Sequence, residues 1–318
     1  MLPIGLDDVQ AAGPLVAQHV HRTPLVSSRT LSERLGTSVS LKLEVFQKTG
    51  SFKPRGAFNQ LLHLTPQARR RGVVGVSGGN FAQGLAYAGR VLGVPVRVLV
   101  PEGTPAHYLA ATRGYGAEVE IVPTIAEAFS RAEAYAGQGR AALHPFDDPW
   151  MMAGNGTLGL EVAEDAPDLT DLFVSIGGGG LMAGVATAVK GLVPGARLWG
   201  VETLGCHAMR LALDAGRPVE MQPFSIAKTL AAPWVSEGTL AAAREYLEDV
   251  VVVPDAAAVE ALVLILERVK VLTEPAASCT LAAAQAVRER LGEHVVLVLC
   301  GGNATVGDIT VWRERFGV

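Results

Sequence analysis

An α/β fold built on mostly parallel, twisted sheets is what this sequence predicts, and three observations predict it. From about residue 72, short β-branched runs alternate with longer segments rich in Ala and Leu. Glycine-rich turns close several of those runs. Of 318 residues, 49% are hydrophobic and 18% charged, enough apolar material for one or two cores.

The runs are "VVGV", "VRVLV", "VEIV", "LFVSI", "LWGVE", "VVVV" and "VVLVLC". Such continuous apolar strands suit a parallel sheet covered by helices on both faces. Between them, "FAQGLAYAGRVLG" sets Phe81, Leu85, Ala88 and Leu92 along one stripe, as a helix packed on a sheet requires. No fixed-period repeat or low-complexity tract interrupts the pattern. The loop "LHPFDDPW" (143–150), with two prolines, divides it into a smaller unit before and a larger one after. The N-terminal stretch is expected to join the larger.

Charge and composition narrow the function. A net charge of −4 without a long basic or acidic run gives no electrostatic case for nucleic acid or an anionic membrane. The N-terminus lacks a basic start followed by an apolar run, and no later stretch nears spanning length. Three widely spaced cysteines, Cys206, Cys279 and Cys300, read as reduced thiols. A cytoplasmic protein is expected.

The placement of glycine is more specific. "SGGN" (77–80), "GGGG" (177–180) and "CGGN" (300–303) each follow an apolar run. Ligands of open α/β sheets lie beyond the carboxyl ends of strands. Glycines there let backbone N–H groups crowd an anion, and a following helix N-terminus adds positive potential. Four successive glycines are costly to order, so folding alone does not account for them. Two rival motifs coincide with these loops. Gly178, Gly180 and Ala183, with Glu202 about 20 residues on, satisfy a dinucleotide pattern. Gly75, Ser77 and Gly79 satisfy a hydrolase elbow, yet His294 opens a strand instead of following an acid on a loop. No P-loop lysine, H-E-x-x-H or C-x-x-C occurs.

"TGSFKPRG" (49–56) holds the remaining signal. Ser51 reads as a helix N-cap, placing Phe52, Lys53 and Pro54 in the first turn, where proline costs little. A helix N-terminus and apolar neighbours both disfavour an ammonium, which lowers the amine's pKa. Imine chemistry needs such a lysine. A reactive lysine, a glycine cradle for phosphate and two further strand-end loops together describe a pyridoxal-phosphate site.

In order along the chain, "SFKPRGAFNQL", "SGGNFAQGLAYAGRVLGVPVRVLVPEGTP", "HPFDDPWMMAGNGTLGLE", "SIGGGGLMAG", "TEPAASCTLAA" and "LCGGN" closely resemble the serine/threonine dehydratase and serine racemase family. This is a family of fold-type-II (tryptophan-synthase-β-like) pyridoxal-phosphate enzymes, and the resemblance runs from about residue 20 to 305. It implies two open sheets with helices on both faces. A small mobile domain (49–144) would be inserted in a larger cofactor-binding one (1–48 and 145–318), with no C-terminal regulatory domain and a homodimeric assembly. Lys53 would carry the cofactor pyridoxal 5′-phosphate as a Schiff base and act as catalytic base, with Phe52 against the ring. Asn80 would bond the cofactor's 3′-oxygen. Gly177, Gly178, Gly179, Gly180 and Leu181 would cradle its phosphate, Glu274 would lie beside the ring and Cys300 would face the pyridine nitrogen. Ser77, Gly78, Gly79, Asn80, Phe81 and Ala82 would receive the substrate carboxylate.

The activity implied is conversion of L-threonine, and of L-serine, to a 2-oxo acid and ammonia. Alternatives on the same scaffold are serine racemisation and dehydration of threo-3-hydroxyaspartate; a non-catalytic binder or a nicotinamide-dependent oxidoreductase is more distant. A neutral thiol at Cys300 would make the ring a weaker electron sink than an acid would, favouring elimination over transamination; a thiolate would change that. Gly78 stands where racemases place a serine that donates a proton, so racemisation is not expected to be efficient. Phe81 replaces a usual His and makes the pocket more apolar; Asn155 replaces a usual Gln. Glu202 matches the first residue of a cation site seen in many relatives, but Ala208 stands where the second acid is expected. Lys228 stands where relatives often have Asp. A metal site is therefore not assigned.

Overall fold

The computed structural model describes residues 2–318. Its described residues form ten strands in two sheets. The strands are β1 (Leu25–Ser27), β2 (Ser38–Leu43), β3 (Val73–Val76), β4 (Val96–Pro101), β5 (Glu118–Val122), β6 (Ala141–Leu143), β7 (Asp171–Ser175), β8 (Arg197–Thr203), β9 (Leu247–Val253) and β10 (His294–Leu299). The larger sheet has the order β1-β2-β10-β7-β8-β9, and only β1 runs antiparallel. The smaller sheet, β5-β4-β3-β6, is wholly parallel. The expected seven runs all became strands.

The antiparallel pair β1–β2, joined through helix Arg29–Leu35, and strand β6 were not foreseen. In β2, Val39, Leu41 and Leu43 enter the main core, while Ser38, Ser40 and Lys42 alternate to the other face. Lys42 is wholly buried, and its charge hides the strand pattern. Its Nζ meets Glu161 at 2.7 Å and donates to the Thr23 carbonyl at 2.7 Å.

Both faces of the larger sheet are covered, as its apolar strands require. Helix Pro275–Ala286 lies across β7 to β10, and helix Gly180–Leu192 packs on the opposite side against helix Pro149–Asp165. The smaller sheet is also two-faced. Val73 joins Phe58, Phe81, Leu85 and Val98 in one core, while Val74 and Val76 join Leu99, Val122 and Ala128 in another. Phe81, Leu85 and Ala88 of the predicted stripe are buried, and Leu92 is half-buried at its end.

Helix Lys53–His63 links the layers by packing on helices Pro149–Asp165 and Asn80–Leu92. Its anchor is Arg55, wholly buried, which binds both oxygens of Glu44 at 2.8 and 2.9 Å and both of Glu161 at 2.7 and 2.9 Å. Burial alone would raise the Glu44 carboxyl; the Arg55 guanidinium outweighs it and holds the group below its usual range. The turn that carries Lys53 is thus fixed from two sides.

Candidate active site

The three glycine loops and the start of helix Lys53–His63 converge on one cavity of about 420 Å³. It opens between the two sheets, beyond the carboxyl ends of β3, β7 and β10. Phe52, Lys53, Ser77, Gly78, Gly79, Asn80 and Phe81 line it from one side. Gly177, Gly178, Gly179, Gly180, Leu181, Glu274 and Cys300 line it from the other. Of the residues predicted from the sequence, only Ala82 does not line the cavity; it lies in the core beneath the smaller sheet.

Lys53 is the first residue of its helix, and its Nζ donates to the Pro145 carbonyl at 2.7 Å. The rings of Phe52 and Phe81 flank the nitrogen, with centroids 5.1 and 5.5 Å away. Burial lowers the ammonium to about 8, and the neighbouring Cys300 only partly restores it. The amine is therefore available near neutral pH. The cap expected at Ser51 does not form. Phe52 occupies that position without a side-chain bond, while Ser51 pairs with Gly301 in a β-bridge. The Phe52 N–H donates to the Cys300 carbonyl at 3.0 Å, tying the lysine turn to the end of β10.

The tetraglycine segment opens helix Gly180–Leu192. Gly179 has φ +95°, a left-handed conformation that other residues adopt only with strain. A Cβ at Gly178 would sit 2.2 Å from the Phe146 ring, and one at Gly180 would sit 2.7 Å from the Phe146 carbonyl. The loop is held by its neighbours with main chain facing the cavity. The N–H groups of Gly177, Gly178 and Gly179 meet no backbone acceptor among the described residues. With the helix N-terminus beside them, they could hold a phosphate monoester. The Lys53 amine for an aldehyde and the cradle for an anion fit pyridoxal phosphate.

Behind the cavity, Glu274 is buried and binds three donors. These are Asn80 Nδ2 at 2.8 Å, the Thr229 hydroxyl at 2.8 Å and the Asn303 N–H at 3.1 Å. Asn303 Nδ2 in turn donates to Asn80 Oδ1 at 2.8 Å, and the Tyr108 hydroxyl donates to the Asn303 carbonyl at 2.8 Å. Asn80 is thus fixed in one amide orientation from outside its own loop. Cys300 is buried; burial first, then Glu274, push its thiol well above the usual range. Burial therefore favours the thiol over the thiolate at this position.

Sequence reasoning missed Asn303, Thr229, Tyr108, Phe146 and His144. His144 Nδ1 accepts the N–H groups of Phe146 and Asp147 at 3.3 and 2.8 Å, shaping the turn that supports the cradle. Burial, with the Lys53 charge, pushes its imidazole down to about 4, so it stays neutral. The "HPFDDP" and "CGGN" stretches carried the signal for His144, Phe146 and Asn303; Thr229 and Tyr108 left none.

The rival motifs resolve structurally. Glu202 is wholly buried and accepts the Met209 and Arg210 N–H groups at 2.8 and 2.9 Å. Both its oxygens serve the start of helix Ala208–Ala215, leaving none poised for a ribose. Burial pushes it up to about 8. Ser77 Oγ accepts the Gly79 N–H at 3.1 Å. His294 bonds Ser40 and Asp168 at the far end of β10, so the elbow has no base.

Fold and site together define a two-sheet α/β enzyme scaffold organised around one amine and one anion cradle. The chain belongs to the pyridoxal-phosphate dependent enzyme family, which it matches over residues 16–301. It is 40% identical over 319 residues to an L-threonine ammonia-lyase of Geobacter sulfurreducens, covering 99% of this chain and 79% of that relative. Among solved structures, a threonine deaminase from T.th. is 39% identical with a TM-score of 0.90, covering 95% of this chain and 99% of that one. Maize serine racemase is 30% identical with a TM-score of 0.92, covering 99% and 98%. No helix among the described residues is long and apolar enough to cross a membrane.

Proposed function

We propose that this protein converts L-threonine, and L-serine, to the corresponding 2-oxo acid and ammonia by loss of the β-hydroxyl. The observation that carries this reading is the Lys53 amine, lowered to about 8, inside a cavity that also presents a phosphate cradle. Pyridoxal phosphate, when bound, supplies an aldehyde for an amino group and a ring that draws electrons from Cα.

The chain's own residues do the rest. Gly177 to Leu181 would hold the phosphate with their N–H groups, and Phe52 would pack on the ring. Asn80, fixed by Glu274 and Asn303, would donate to the 3′-oxygen. Cys300, kept protonated by burial, would offer the ring nitrogen a neutral partner. The N–H groups of the Ser77–Asn80 loop would bind the substrate carboxylate, beside Lys53.

Lys53 Nζ would remove the Cα proton as general base. The β-hydroxyl departs with a proton as water. The released enamine tautomerises, and a second water replaces its nitrogen as ammonia, so the net change is oxo acid plus ammonia. Residues 49–144, which contain the whole smaller sheet, would form a mobile domain whose closure excludes water. Homodimeric assembly rests on the family resemblance. A cytoplasmic setting accords with three free, buried cysteines.

Lys53→Ala should abolish both the visible colour of the purified protein and 2-oxo acid release from threonine. Retained turnover would remove this lysine from the mechanism.

A further inference from the structure

The outer part of the cavity, away from the glycine cradle, is walled by aromatic rings. Phe146, whose ring occupies the space beside Gly178, meets His144 edge-on with centroids 4.5 Å apart. His144 stacks on Phe129 at 5.7 Å, and Phe129 reaches Trp234 at 5.5 Å. The row thus runs from the phosphate end to the mouth. Phe129 comes from helix Ile125–Gly137 on the smaller sheet, and Trp234 from the segment before helix Glu237–Tyr246. Ile125 and Pro233 line the same end.

The rings of this wall that line the cavity, Phe146, Phe129 and Trp234, carry no charge, and His144 stands behind them as a neutral imidazole. Two charged residues at the mouth, Glu102 and Lys228, are exposed and opposite in sign, so they give no net pull on an acidic group. Phe81 and Phe52 continue the apolar lining inward to Lys53. A methyl group, all that threonine offers at Cβ, would leave the Phe129 and Trp234 rings facing water. A longer or aromatic substituent would cover them.

We propose that this end of the cavity selects β-hydroxy-α-amino acids whose Cβ substituent is apolar and bulkier than methyl, with Phe129 and Trp234 as the specificity-determining residues. The proposal rests on the elimination reading above and adds a preference to it: L-threonine remains a substrate, and larger apolar analogues are turned over more efficiently. Each buried methylene contributes about 0.8 kcal/mol. Replacing methyl by propyl adds two, about 1.6 kcal/mol, or about 15-fold in kcat/KM.

The test compares kcat/KM of the holoenzyme for L-threonine, 3-hydroxynorleucine, β-phenylserine and 3-hydroxyaspartate. It is repeated in Trp234→Ala and Phe129→Ala. A second arm follows Trp234 fluorescence, assigned by difference from Trp234→Phe, as L-norleucine or L-alanine is added. The expected result is a preference of about 15-fold for 3-hydroxynorleucine over threonine, shrinking toward unity in either alanine variant. Norleucine should perturb Trp234 at a concentration about tenfold or more below alanine. Threonine turnover without that preference, or 3-hydroxyaspartate as best substrate, overturns the proposal. If no substrate yields an oxo acid, the elimination reading fails instead, and the fluorescence arm still decides whether the wall binds apolar side chains.

Discussion

Gly178→Ala is the sharpest probe of the cradle. The added methyl would lie 2.2 Å from two atoms of the Phe146 ring and 2.5 Å from a third. The ring cannot simply withdraw. Its edge-on contact with His144 lies at 4.5 Å, and its own main chain is pressed against Gly180, where a Cβ would come within 2.7 Å of the Phe146 carbonyl. Overpacking of this kind costs about 1–3 kcal/mol. A central cost of about 2 kcal/mol corresponds to about 30-fold weaker cofactor binding if the loop yields to relieve it. Titration of the apo-protein with pyridoxal phosphate, followed by visible absorbance, measures that loss; thermal denaturation shows whether the fold shares it. Phe146→Ala, combined with Gly178→Ala, should recover part of the affinity because the clashing Cγ and Cδ atoms are gone. Binding within twofold of wild type in Gly178→Ala alone would refute the cradle geometry.

Two more outcomes follow from the same geometry. With the Lys53 ammonium lowered to about 8, capture of pyridoxal phosphate by the apo-protein should quicken about tenfold per pH unit below 8 and then level. At pH 7 its neutral fraction is about 300 times that of an ordinary lysine, and stopped-flow rates still climbing at pH 10 would contradict the shift. Gly78→Ser should raise racemisation relative to elimination only when Thr104 is also shortened. A Cβ there falls 2.5 Å from Thr104 Oγ1, which donates to the Pro101 carbonyl at 2.8 Å. Chiral chromatography of serine incubated with Gly78→Ser/Thr104→Ala checks this, and an unchanged product ratio would remove Gly78 from the account of reaction choice.

Local chemistry made much of this readable. Lys53 stood out because its neighbours are apolar, and the glycine loops because repeated glycine has no folding benefit. Parallel strands were visible as apolar runs bounded by turns. Contacts between distant segments were not. Asn303 meets Asn80 across 223 positions, and Tyr108 meets Asn303 across 195, and neither pairing leaves a local pattern. Ser51 followed the rule for a cap, but its turn is held by the bridge to Gly301 and by the Phe52 N–H on the Cys300 carbonyl. Strand β2 was obscured by Lys42, whose buried charge is matched by Glu161 on a helix over a hundred residues later. Glu202 invited readings as a metal ligand or a ribose ligand; its actual work, capping a helix from a buried position, depends on how β8 meets the next turn.

In the proposed reaction one nitrogen, Lys53 Nζ, would hold the cofactor. Borohydride reduction of the loaded protein, followed by proteolysis and mass spectrometry, locates the amine directly. The expected product is a pyridoxyl-phosphate adduct on the peptide containing residues 49–56, at Lys53. An adduct on any other lysine, or an unmodified Lys53 peptide from fully loaded protein, would contradict it.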